Sequence, residues 1–205
     1  MPSMNALIAA CIVAAPLFGQ EVSILVSGTP RPEYEHRGTT YIEALRGREF
    51  TIRLTNPTSQ RVAVALSVDG LNTIDARHTD AWGAAKWVLE PYQSADIAGW
   101  QVSDRTARRF FFTGERNSYG AALGQTENLG IIEAVFYRER RPRWAEGFSK
   151  DQRREAPRAA AESQAPSAAP SDDYAATGMG NRTRHDVEQV AIDLERSPIS
   201  TVSIR

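Results

Sequence analysis

Cysteine is almost absent from this chain of 205 residues: Cys11 is the only one, and it sits inside an apolar run near the N-terminus. A mature chain that starts near Glu21 therefore has no thiol. It can form no disulfide, offer no thiolate nucleophile and build no cysteine-based metal site, so its stability must come from its core alone. Lysine is nearly as scarce, Lys86 and Lys150 being the only two among 24 basic residues. The arginines are dispersed among 25 acidic residues and the formal net charge is −1, so no global field draws the chain to nucleic acid or to an anionic membrane. His36, His78 and His185 are isolated, with no H-E-x-x-H and no histidine pair one helical turn apart for zinc. There is no G-x-S-x-G elbow and no G-x-x-x-x-G-K-[ST] loop, and Gly120, Gly124 and Gly130 do not match the dinucleotide fingerprint. No bound cofactor is expected. No segment carries an amphipathic helical pattern longer than two turns, and no internal repeat is present.

What the chain does have begins with residues 6–18, ALIAACIVAAPLF. That length suits a secretory signal and is too short to span a bilayer. No Lys or Arg precedes it, and cleavage after Gly19 or Gln20 would leave a mature chain starting near Glu21. The expectation is a signal peptide or apolar segment over 1–20 and export to the periplasm or cell surface. Ile8-Ala9-Ala10-Cys11 also has the form of a lipobox, which makes Cys11 a candidate lipidation site and the only expected membrane attachment.

The middle of the chain reads as strands. In residues 61–68, Val62, Val64, Leu66 and Val68 alternate with Ala63, Ala65 and Ser67, a period of two that predicts a strand with one deeply buried face. Asp69-Gly70 then marks a turn. Residues 48–55 alternate Phe50, Ile52 and Leu54 with polar side chains, and the Asn56-Pro57-Thr58-Ser59 turn predicts an antiparallel hairpin between 48–55 and 61–68. Further strands are expected at 21–27, 39–45, 86–89, 95–100, 108–113 and 130–138, with 28–38 a connection because of Pro30, Pro32 and Gly38. A single helical turn is expected within 117–123, capped by Asn117 or Ser118. Many short strands without helices predict an all-β antiparallel sandwich of immunoglobulin-like or jelly-roll character over 21–141.

Composition changes beyond that point. Residues 142–180 are rich in Ala, Pro, Ser and Arg and bury too little apolar surface to order, so they are expected to form a flexible linker, with Gly178-Met179-Gly180 as a joint. Residues 181–205 contain two expected strands, at 187–194 and 201–205, which cannot be stable alone and should complete the sandwich or pair with a partner.

Three stretches carry a resemblance: residues 68–77 (VDGLNTIDAR), Gly99-Trp100-Gln101 and Asn128-Leu129-Gly130-Ile131-Ile132. With the tail from 175 to 205 they make the chain similar to a group of exported bacterial β-rich proteins. The resemblance covers most of the mature chain and implies no activity, because none is assigned to that group.

Several residues are candidates for chemistry. Asp69, Asn72 and Asp75, followed by Asp80, are clustered oxygen ligands of the kind calcium takes, although the spacing is not an EF-hand. The competing reading has them bonding the backbone around a turn. Trp87, Tyr92 and Trp100 are candidate saccharide platforms, set against core packing for the two tryptophans; Trp144 falls in the charged linker. Arg108-Arg109-Phe110-Phe111-Phe112 mixes basic and aromatic residues as nucleic-acid binders do, but strand alternation accounts for it. No catalytic set emerges, since nothing brings carboxylates such as Glu133 and Glu139 together. The expected function is a non-catalytic binding, scaffolding or assembly module of the bacterial envelope, whose partner is an envelope protein or polysaccharide. The alternatives are a glycan-binding module and a hydrolase of envelope polymers.

Overall fold

A computed structural model describes residues 20–140 and 175–205. Residues 1–19 with Cys11, and 141–174 with Trp144 and most of the expected linker, lie outside the described residues.

The strands in chain order are β1 (Glu21–Val26), β2 (Thr29–Pro30), β3 (Glu33–His36), β4 (Thr39–Ile42), β5 (Glu49–Thr55), β6 (Val62–Val68) and β7 (Leu71–Asn72). They continue with β8 (Trp87–Leu89), β9 (Ser94–Ile97), β10 (Gly99–Ser103), β11 (Thr106–Gly114), β12 (Ile132–Arg138), β13 (Ala175–Arg184) and β14 (Ser200–Ile204). A 3-10 turn at Glu115–Asn117 leads into the one α-helix among the described residues, α1 (Tyr119–Ala122), which starts where expected, with the Ser118 hydroxyl accepting the Ala121 N–H.

Two sheets face each other. In the first, β2, β1, β5 and β11 run side by side, β13 lies on the far side of β11, and β9 and β10 pair with β5 and β11. The second has the order β3-β4-β14-β12-β6, with β7 and β8 both on the outer side of β6. Every pairing is antiparallel except one bridge between Thr40 and Ile204. The inward positions of β1, β5, β6, β11 and β12 supply the core, with Phe50 stacked between Phe110 and Phe112. The chain is thus an all-β sandwich.

Several local expectations are corrected. β5 and β6 do not form a hairpin, since β5 pairs with β1, β9 and β11 while β6 pairs with β12, β7 and β8. Their apolar faces point at each other, so the connection crosses between layers. Asn56 holds the crossing, its Nδ2 donating to the Gln60 and Glu90 carbonyls and its Oδ1 accepting from the Thr58 N–H. β6 is buried on both faces, not one. Ala63 and Ala65 are small enough for the loop between β7 and β8 to lie over them, where Ala84, Val135 and Tyr137 make a second small cluster with Ala65. Residues 28–38 are not merely a connection, because Pro30 ends β2 at a sheet edge, where its missing N–H costs nothing, and β3 follows.

The expected strand 95–100 is split at Ala98. β9 stays on β5 while β10 moves to β11, and a Cβ at Gly99 would lie 1.9 Å from the Arg108 carbonyl oxygen, so only glycine allows the fork. In the tail, residues 175–180 belong to β13 rather than to a linker. Gly178 is no joint: the Phe111 ring lies against it, and a Cβ there would be 2.2 Å from that ring. Residues 187–194 are not a strand, contributing only a bridge from Leu194 to Glu139. The final strand forms as β14, which lies inside the second sheet between β12 and β4.

Candidate functional site

Asp69 and Gly70 form the two-residue turn between β6 and β7, both at positive φ, which matches the right-handed twist of a hairpin. The turn aims the Asp69 carboxylate into the protein, where the residue is 1% exposed. Oδ1 accepts the Gly130 N–H at 2.7 Å and Oδ2 accepts the Thr177 N–H at 2.6 Å. One side chain thus ties the β6 end of the second sheet to the loop before β12 and to β13 of the first sheet. Burial pushes its pKa up to about 6, against the pull of the two N–H groups, which favour the anion.

The rest of the 68–77 segment is committed in the same way. Asn72 Oδ1 accepts the Ile74 N–H and its Nδ2 donates to the Ala85 carbonyl. Asp75 accepts the Arg77 N–H. The Thr73 hydroxyl accepts the Trp87 indole N–H at 2.9 Å, and the Thr73 carbonyl accepts the Gln101 N–H. Asp69, Asn72 and Asp75 therefore bond backbone amides and do not converge on a cation. Among the described residues no group of three or more His, Cys, Asp or Glu side chains is placed to hold a metal. The separate stretches that carried the resemblance meet here: Gly130 at Asp69, Gln101 at Thr73, and Thr177 of the tail at Asp69. What they build is a clasp between layers.

The aromatic candidates separate. Trp100 is 1% exposed, packing edge-on against Phe110 and at a tilt against Tyr119, so it is core and no saccharide can reach it. Trp87 is half-buried, its indole bonded to Thr73 and its ring 5.4 Å from that of His185. Burial holds His185 below the usual imidazole range, although Asp186 pulls the other way. Its Nδ1 lies 2.8 Å from the Gln101 side-chain oxygen. Tyr92 alone is presented, 69% exposed at a φ of 59° in the turn before β9.

Sequence reasoning missed two aromatic groupings. Trp82, 41% exposed, meets Tyr137 edge-on, and Lys86 fills the gap, donating to the Trp82 and Ala84 carbonyls. This cage already holds a cation of its own. The second is the cross-strand pair Tyr34–Tyr41 on the exposed β3–β4 hairpin. The Arg37-Gly38 turn could have signalled that hairpin, since both residues have positive φ and link two polar-aromatic runs.

Beside Asp69 lies a cavity of about 50 Å³ lined by Phe112, Ile132, Ala176 and Ile204, room for little more than water. A wider groove of about 490 Å³ runs past Ser27, Arg48, Glu49, Thr51 and Arg109, with Arg109 3.6 Å from Glu49. Each holds one acidic side chain, so neither offers the pair a glycosidase needs.

Several strand edges are open among the described residues. β13 hydrogen-bonds to β11 along its length and to no other strand, and β3 pairs only with β4; the short strands β2, β7, β8, β9 and β10 each pair with one strand as well. No described helix is long and apolar enough to cross a membrane. Fold and surfaces together define a β-sandwich with a committed interior and free edges. Comparisons with known protein families, curated proteins and solved structures find no match to this chain.

Proposed function

We propose that the chain is a non-catalytic exported β-sandwich that serves as a binding and assembly module of the bacterial envelope and recognises its partner by strand addition at β13. The observation that carries this reading is the unpaired outer side of β13 over its exposed second half, 181–184. Strand addition takes affinity from main-chain hydrogen bonds and selectivity from alternating side chains. Asp69 satisfies the outward Thr177 N–H at the other end of β13, so the strand is anchored where it is closed and free where it is open. The C-terminal strand β14 is itself paired with β12 across five positions and Ile204 is buried, which favours β13 as the strand that offers an edge. Export is supported by the 6–18 apolar run and by a first strand that begins at Glu21, beyond the segment that cleavage would remove.

The test is affinity capture from the native envelope with the wild type and with the Arg182→Glu/Arg184→Glu variant. A protein retained by the wild type and lost by the variant, with new amide protection over 179–184 in the complex, is the expected result. Equal capture by both, or recovery of polysaccharide alone, sinks the edge reading. Tyr92 favours a second reading, glycan binding: a non-glycine residue held at positive φ with its ring in solvent is a strained presentation. Titration with cell-wall and capsule saccharides that leaves the Tyr92 ring resonances unmoved removes it.

A further inference from the structure

The open end of β13 reads Asn181-Arg182-Thr183-Arg184, and an open strand of the other sheet, β3, reads Glu33-Tyr34-Glu35-His36. One edge is basic and the other acidic. Arg182 has no ion-pair partner among the described residues, and Arg184 meets only Asp186 at the surface. Arg31, beside β3, is already taken by Glu43. Neither Glu33 nor Glu35 forms an ion pair among the described residues, and partial desolvation with the negative charges of Glu21 and Glu35 holds the Glu33 carboxyl above its usual range.

We infer that the strand that adds to β13 is β3 of a second copy of this chain, paired antiparallel with Glu33 opposite Arg184 and Glu35 opposite Arg182. This rests on the strand-addition reading and names its partner. Residues two apart share a face of a strand, so one register brings both charge pairs together. The same register sets Tyr34 against Thr183, an aromatic against a β-branched residue, and His36 against Asn181. A shift of two residues keeps only one of the ion pairs. Like edges repel: β3 on β3 opposes glutamates, and β13 on β13 opposes arginines. All four β3 residues are exposed, with Tyr34 58% exposed, and the hairpin joins the sheet through β4, where Thr40 and Ile42 bond the Arg205 backbone, so the outer edge of β3 has no strand paired to it among the described residues.

Because β3 and β13 belong to different sheets of one molecule, the contact is heterologous. Each copy added leaves one free edge of each kind, and the product is a ring or a growing chain. A four-residue strand pair is small, so the association is concentration-dependent and weakens with salt.

The experiment is sedimentation of the protein as isolated, over a concentration series at low and high salt. The wild type is expected to associate and to dissociate on adding salt. Glu33→Arg/Glu35→Arg and Arg182→Glu/Arg184→Glu should each weaken association by about tenfold or more. An equimolar mixture of the two, and the chain carrying all four substitutions, should recover it. A wild type that stays monomeric throughout, or a four-substitution chain that folds by circular dichroism yet stays monomeric, overturns the inference. If the wild type is monomeric but still loses an envelope protein on Arg182→Glu/Arg184→Glu, strand addition stands and the second copy does not. If that variant changes neither readout, both fall.

Discussion

Replacing Asp69 by alanine would test whether the clasp holds the two layers together. The change leaves the Gly130 and Thr177 N–H groups facing a site that had offered them a carboxylate at 2.7 and 2.6 Å. An unpaired buried donor costs about 1–3 kcal/mol, so Asp69→Ala should lose roughly 2–4 kcal/mol near pH 7.5. The loss should also depend on pH. Burial raises the Asp69 pKa from 3.8 to about 6, so between those values the folded state binds a proton that the unfolded state releases. Stability from this group therefore grows as pH falls through 6, by roughly 1.4 kcal/mol between about pH 7.5 and pH 5. Urea unfolding followed by tryptophan fluorescence on wild type and Asp69→Ala, at both pH values, isolates the group, because the other titrating residues cancel in the difference. Asp69→Asn keeps an acceptor for one N–H and should abolish the pH dependence while losing less. A difference under about 0.5 kcal/mol at both pH values would refute the clasp, and one that grows toward alkaline pH would refute the raised pKa by showing that the two N–H bonds outweigh burial.

Trp100→Ala should cost about 3–5 kcal/mol by the same unfolding assay, as for any large side chain removed from a packed core, and should leave saccharide titrations unchanged. Tyr92→Gly should raise stability by about 0.5–1 kcal/mol, because glycine accepts the positive φ without strain; an equal or lower midpoint would mean that the ring is held by contacts. Ending the chain before Ser200 removes β14 from between β12 and β4. Circular dichroism should then show no cooperative melting transition, and a sharp transition would show that β14 is dispensable.

Much of the architecture was legible locally. Period-two runs located β5, β6 and β11, since alternation along a strand is a property of the chain itself, and short apolar runs located β1 and β12. The Asp69-Gly70 turn and the Ser118 cap were legible for the same reason, each depending on the conformational preferences of one or two residues. Pairing was not legible. β5 and β6 looked like a hairpin because neighbours in sequence often pair, yet their core faces had to oppose each other across the sandwich. The Gly178 strand looked like a linker because its apolar content comes from Phe111 of another strand, whose ring lies against the glycine. Trp100 read as core or as saccharide platform and Tyr92 as a platform, and only packing put the one in the core and the other in solvent. Asp69 shows the division most sharply. Its residue type suited a turn former and also a ligand, and what the carboxylate holds was decided by backbone amides 61 and 108 positions away. The sequence by itself determined an all-β chain of short strands with a thiol-free body; which strands meet, which edges stay open and what the buried carboxylate holds were decided by long-range packing, because those contacts join residues that no local pattern connects.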